Sequence, residues 1–160
     1  MSGADRPARH SGRWYEQLPV GLVVDHAITR TVTETDNVLF TTMTMNPAAI
    51  HLDHHAALDT PFGKPLVNSL FTLGLVVGIS VHELTHGTTI ANLGFSEVTF
   101  PNPVFVGDTI AVRSTVLEAR LSASKPGQGI VTIEHLGLNQ DDKIVCKCTR
   151  QALMRCTPEA

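Results

Sequence analysis

The stretch LVNSLFTLGLVVGISV, residues 66–81, decides how this chain is built. It is shorter than the roughly 20 residues a membrane span needs, and Asn68, Ser69, Thr72 and Ser80 interrupt it. It therefore reads as a buried helix over residues 67–83. The helix is apolar on all sides, so other structure must wrap it. Gly74 and Gly78, four residues apart, would let a neighbouring backbone come close. Gly87 is placed to end the helix.

Working outward, the chain downstream reads as strands. TTIANLGFSEVTF (88–100), TIAVRSTVLEARL (109–121), GIVTIEHLGLNQ (129–140) and KIVCKCTRQALM (143–154) are rich in β-branched residues. PNPVFVGD, SASKPGQG and NQDD separate them as turns. Upstream, GLVVDHAITRTVT (21–33) reads as a first strand, and TETDNVLFTTM (33–43) as a short helix that Asp36 could cap. NPAAIHLDHHAALDTPFGKP (46–65) is a loop with a helical turn or two. Residues 1–12 are polar and expected to be loose; residues 13–160 form one domain. One apolar helix, one strand before it and four after it predict an α+β fold, a curved antiparallel sheet around a helix.

Composition narrows the partners. The formal net charge is −3 without a block of like charges, which gives no footprint of a nucleic-acid partner. No charged leader with an apolar core opens the chain, so secretion is not expected. Three cysteines, Cys146, Cys148 and Cys156, make an odd set without a spaced framework. That fits a reducing cytoplasm. Cys146 and Cys148 share one face of a strand and read as small packing residues.

Two histidine clusters carry chemistry. His82-Glu83-Leu84-Thr85-His86 spells H-E-x-x-H, a zinc-hydrolase pattern in which two imidazoles and a third ligand hold the metal. Here the motif falls in the last turn of the helix. The downstream candidates for a third ligand, Glu97, Glu118, Glu134 and His135, lie in strands without a ligand pattern. No metal is expected; the imidazoles suit the negative end of the helix dipole. The other cluster is MTMNPAAIHLDHHAAL (43–58). His51 and His55 have one metal-ligand spacing, but no Glu adjoins His51. A polar surface loop is the plain alternative.

This second cluster resembles the signature of the MaoC-like (R)-specific enoyl-CoA hydratases, Gly-Asp-x-Asn-Pro-x-His-x-Asp. Aligned on the histidine, Met45 falls on the Gly, Asn46 on the catalytic Asp, His51 on the catalytic His and Asp53 on the trailing Asp. FGKPLVNSLFTLGLV (62–76) is similar to the family's segment entering its helix, with Asn68 on the family's His and Ser69 on its Gly. FSEVTFPNPVFVGDTIAV (95–112) and RLSASKPGQGIVTIEHLGLNQDDKIV (120–145) continue the resemblance, which spans roughly residues 20–153. It implies the hot-dog fold, a sheet wrapped round one long helix, and hydration of a 2-enoyl thioester. His51 would be the base, with Asn46 orienting the water and Asp53 acting as acid or orienter. The Ser69 N–H would hold the thioester oxygen, and Val67, Asn68, Leu70, Leu93 and Gly94 would line the acyl site. Coenzyme A is then part of the substrate and no separate cofactor is expected. Lys64, Arg120 and Lys125, with Arg113, are the candidates for its phosphates. A homodimer or higher homo-oligomer is implied. Two departures stand out: Asn46 cannot transfer a proton as an Asp can, and Ser69 replaces a glycine. The sequence looks closer to the branch acting on short branched or dicarboxylic acyl groups, such as mesaconyl-CoA and itaconyl-CoA. The competing readings are a hot-dog thioesterase using Glu83, a non-catalytic acyl-binding subunit and the zinc hydrolase.

Overall fold

A computed structural model describes residues 10–158 of the chain. Its elements run β1 (Val23–Asp25), β2 (Arg30–Thr31), α1 (Glu34–Met43), α2 (Ala49–Leu52), α3 (His54–Ala57), α4 (Ser69–Leu84), β3 (Thr89–Thr99), β4 (Thr109–Leu121), β5 (Gln128–Leu138) and β6 (Ile144–Arg155). The sheet has the order β1-β4-β5-β6-β3, with β2 also pairing β4. All its pairings are antiparallel. One long helix lies on one face, so the hot-dog expectation holds.

The four long strands fall where β-branched runs and turn residues put them. The first strand does not survive as one piece. It breaks after Asp25, where His26 turns inward and its N–H donates to Val112 O at 2.9 Å. Two short pieces, β1 and β2, pair with β4 instead. The cap of α1 also differs from expectation. Thr33 is the N-cap, and Asp36 is its partner three residues on, accepting the Thr33 N–H at 2.8 Å. A carboxylate reaching back to the N-cap satisfies a second orphan donor, the reciprocal capping-box arrangement.

Helix α4 starts at Asn68, whose side-chain oxygen accepts the Leu70 N–H at 3.0 Å. It ends at Leu84, three residues short of Gly87; that glycine sits in the following turn at φ 79°. Thr72, Val76, Ile79, Ser80 and Leu84 are its buried residues. They press on inward-facing residues of β4, β5 and β6. Gly137 on β5 allows this close approach, because a β-carbon there would overlap Val76. The expected wrapping on all sides does not occur within one chain. Leu70, Gly74, Gly78 and His82 form an exposed stripe at four-residue spacing, and among the described residues no atom beyond the helix's own backbone comes within 4 Å of where a β-carbon would sit on either glycine. A single curved sheet covers only one side of a helix. Among the described residues strand β3 pairs only with β6, and all its residues but Ala91 are exposed.

The core between α4 and the sheet has two parts. Val32, Val67, Val76, Ile79, Val104, Ile110, Val112, Val145 and Cys146 form one. Leu18, Leu84, Val116, Val131, Ile133, Ala152 and Met154 form the other. Cys146 and Cys148 are both buried, as expected of packing residues. Of the stretch 1–12, residues 1–9 lie outside the described residues. His10 to Gly12 pack on the end of α4, where the Gly12 N–H donates to His86 O at 3.0 Å.

Candidate functional site

The segment between α1 and α4 folds back so that its motif meets the start of α4. Met45 adopts φ 58°, turning the chain sharply out of α1. The Asn46 N–H then donates to Thr41 O at 3.0 Å, and its side-chain oxygen accepts the Ala48 N–H at 3.0 Å. This Asx turn launches α2, which carries His51. Asp53 follows as the N-cap of α3, accepting the N–H groups of His55 and Ala56 at 2.8 and 3.0 Å. These donors, Ala56 first and then His55, hold the exposed Asp53 carboxyl below the usual range of an aspartate.

His51 lies 3.0 Å through Nδ1 from the carbonyl oxygen of Leu66, just ahead of α4. A carbonyl only accepts, so Nδ1 carries the proton and Nε2 keeps a lone pair. Nε2 makes no hydrogen bond among the described residues. The ring lines a cavity of about 340 Å³ together with Phe62, Leu66, Val67, Ser69, Thr72, Phe100, Val104 and Val145. Ser69 is the first residue of α4. Its N–H makes no hydrogen bond among the described residues, as helix geometry dictates for a first turn. That donor sits at the positive end of a 16-residue helix. His51 and the first residue of α4, whose N–H is free of hydrogen bonds among the described residues, thus line one mostly apolar cavity.

The expected residues divide accordingly. His51, Val67 and Ser69 meet at this cavity. Asn68 is buried behind it as the N-cap, and Leu70 points outward, 59% exposed. Asn46 lines a different shallow recess with Thr42, Met45, Pro47 and Leu52. Leu93 is exposed on β3, and Gly94 lines a recess with Phe95, Ser96 and Gln151. Within one chain these two do not reach His51's cavity. Lys64 borders a second recess that also touches His51, its Nζ 4.1 Å from the Phe105 ring centre. Arg120 lies ten positions along β4 from Ile110, about 33 Å at the rise of a strand, and Lys125 is in the turn beyond. Arg113 is engaged by Asp25 at 2.6 Å.

Sequence reading missed Asn37. Its polar side chain on α1, 2% exposed, touches both halves of the site. A lone asparagine in the body of α1 carries no sequence signal of its own, since its burial appears only in the folded chain.

The H-E-x-x-H histidines are elsewhere. Ser11 Oγ lies 3.0 Å from His82 Nδ1 and 3.1 Å from His86 Nδ1. Among the described residues, no three His, Cys, Asp or Glu side chains converge as metal ligands. Glu83, partly exposed, instead begins a polar row that runs into the core. Its carboxylate is 2.7 Å from His26 Nδ1, His26 Nε2 is 2.8 Å from Ser114 Oγ, and Ser114 Oγ is 2.7 Å from His135 Nδ1. Arg150 Nε donates to His135 Nε2 at 3.0 Å. The first three members have the connectivity of a Ser–His–acid triad. Ser114, however, is 1% exposed and bonded on both sides, so it cannot reach a substrate. With a donor-only guanidinium at one end and a carboxylate at the other, every proton in the row has one direction. The row crosses the sheet between the two halves of the core.

Comparison with known proteins agrees with this architecture. The family model described as MaoC like domain matches residues 16–138. The chain is 30% identical to the beta-methylmalyl-CoA dehydratase of Chloroflexus aurantiacus, over 90% of this chain and 40% of that protein. It is 30% identical to the mesaconyl-CoA hydratase of Cereibacter sphaeroides, over 91% of this chain and 42% of that one. It therefore spans about two fifths of the length of these relatives. A Mycobacterium tuberculosis protein described as having a double hot-dog fold superposes with TM-score 0.82 at 23% identity, over 94% of this chain and 46% of that one. With the hot-dog sheet, the His51 loop docked on the start of the central helix and a family match across most of its length, this chain belongs to the MaoC-like domain family.

Proposed function

We propose that this chain hydrates, and in reverse dehydrates, a short enoyl thioester of coenzyme A. The observation that carries this is the pairing, in one cavity, of a His51 whose proton is fixed on Nδ1 with the unbonded Ser69 N–H at the start of α4. Nε2 takes a proton from water as its oxygen bonds to C3. The C2–C3 π electrons move toward the thioester, and the Ser69 N–H stabilises the resulting oxyanion. The imidazolium then returns a proton to C2. One imidazole thus serves as base and then as acid. Asn46, whose oxygen is held by Ala48, shapes the loop that presents His51. Asp53, held ionised by two N–H groups, serves as a cap. Lys64, which borders a recess that His51 also lines, would meet a phosphate of coenzyme A.

The finer reading is a short branched or dicarboxylic acyl group, such as mesaconyl or itaconyl. The names of the two curated relatives support it. A homodimer is supported by the exposed stripe of α4 and the unpaired edge of β3, which a second copy would cover. The thioesterase reading is disfavoured by Glu83, which lies about 21 Å along α4 from Ser69 and is bound by His26. The test is loss of enoyl thioester absorbance with crotonyl-CoA, mesaconyl-CoA and itaconyl-CoA. Hydrolysis to free coenzyme A, or no turnover of any of them, would reject the proposal.

A further inference from the structure

Asn37 belongs to no step of the proposed reaction, yet each of its side-chain bonds ends at a residue of the site. Its amide nitrogen donates one hydrogen to His51 O at 3.0 Å and the other to Leu66 O at 3.1 Å. Its amide oxygen accepts the Asn68 N–H at 2.9 Å. The first bond holds the backbone of the base. The second holds the carbonyl that also receives His51 Nδ1–H. The third holds the N-cap of the helix whose next residue supplies the free Ser69 N–H. Two donors toward two carbonyls and one acceptor toward an N–H is the inventory of a primary amide. An aspartate would set an oxygen against two carbonyl oxygens, and a serine would offer a single hydrogen. The helix that carries Asn37 is anchored separately by its capping box at Thr33 and Asp36. One turn on, Thr41 accepts from the Asn68 side chain at 3.3 Å, so α1 grips the start of α4 a second time.

We infer that Asn37 is a positioning residue for this reaction, setting the separation between His51 and the first turn of α4. This rests on the hydratase reading above. A base and an oxyanion donor act together only at one spacing, and a displacement of about 1 Å can cost about 100-fold in rate. A residue that bonds the backbone on both sides sets that spacing more firmly than either loop alone.

The experiment compares Asn37→Asp with Ser114→Ala, a variant cut from the buried row remote from His51. Both are assayed on crotonyl-CoA and mesaconyl-CoA at a temperature where circular dichroism shows them folded. The expected result is a fall in kcat of about 30- to 100-fold for Asn37→Asp with KM changed less than about threefold. Ser114→Ala, though less stable than the parent, should keep kcat within about threefold. A loss for Asn37→Asp no larger than that of Ser114→Ala, or a loss confined to KM, overturns the assignment. Should Asn37→Asp not fold, Asn37→Ser is read by the same criteria; if neither folds while Ser114→Ala does, Asn37 is purely structural and the inference fails. His51→Ala, assayed in parallel, separates the two ideas. An active His51→Ala, or a parent that turns over neither substrate, removes the hydratase reading and this inference with it. An inactive His51→Ala beside a fully active Asn37→Asp removes this inference alone.

Discussion

His51 Nδ1 and the carbonyl oxygen of Leu66 are 3.0 Å apart, and this contact settles which nitrogen of the imidazole is available. The proton stays on Nδ1 because the carbonyl can only accept it. Fixing one nitrogen orients the other, the usual way a protein selects a histidine tautomer. Leu66 is fifteen residues from His51 in the chain, and nothing in a leucine's side chain advertises the role of its backbone.

His51→Ala should abolish nearly all hydration while the fold survives, since the side chain lies in a partly open cavity rather than the core. A general acid/base group contributes about 10²- to 10⁴-fold. Steady-state kinetics on the folded variant provide the check; retention of most of the activity would show that His51 is not the base.

Asn46 tests the loop. Asn46→Asp keeps an oxygen to accept the Ala48 N–H, so kcat/KM on crotonyl-CoA should stay within about threefold of the parent. Asn46→Ala removes that bond, a loss of about 1 kcal/mol, and should lower kcat through a looser loop. An Asn46→Asp protein that folds but is inactive would assign Asn46 a direct part in the chemistry.

Asp53→Asn should leave both kcat and its pH profile close to those of the parent, because the side chain caps α3 and is held ionised. Asp53→Ala should lower the melting temperature more than Asp53→Asn does. Disappearance of a protonation step from the pH profile of Asp53→Asn would make Asp53 the acid instead.

Stability should fall on mild acidification. Burial, with the Arg150 guanidinium adding to it, holds His135 down from 6.5 to about 3. Below pH 6.5 the unfolded chain binds a proton that the folded chain refuses, so the folded state loses ground as pH falls toward 3. The limiting slope for one such group is about 1.4 kcal/mol per pH unit. Denaturant titrations between pH 7 and 4 should show this fall, and His135→Gln should flatten it. An unchanged slope in the variant would mean that His135 is not the group responsible.

Dialysis against EDTA should leave hydration intact, and elemental analysis should find no stoichiometric zinc. The reason is the engagement of His82 and His86 by Ser11 rather than by a third ligand. One tightly held zinc per chain would contradict this.

What the sequence determined by itself was the part governed by local rules. Alternating β-branched residues marked β3 to β6 to within one or two residues. An apolar run with no charge in its body marked α4, and the resemblance of the His51 motif to the family signature marked the proposed base. These signals are periodicities and short motifs, carried by residues near one another in the chain. The tertiary structure decided the rest. It split the first strand where His26 turns in to Ser114 on β4 and Glu83 on α4. It left one side of α4 open, because a single sheet covers only one side of a helix. It gave Asn46 and Asp53 backbone partners, and it put Arg120 at the far end of β4 from Ile110, with Lys125 in the turn beyond. It also joined Asn37, Leu66 and Asn68 around His51. Hydrogen bonds between backbone groups and distant side chains depend on where folding brings them, and no pattern in the chain encodes that separately from the fold.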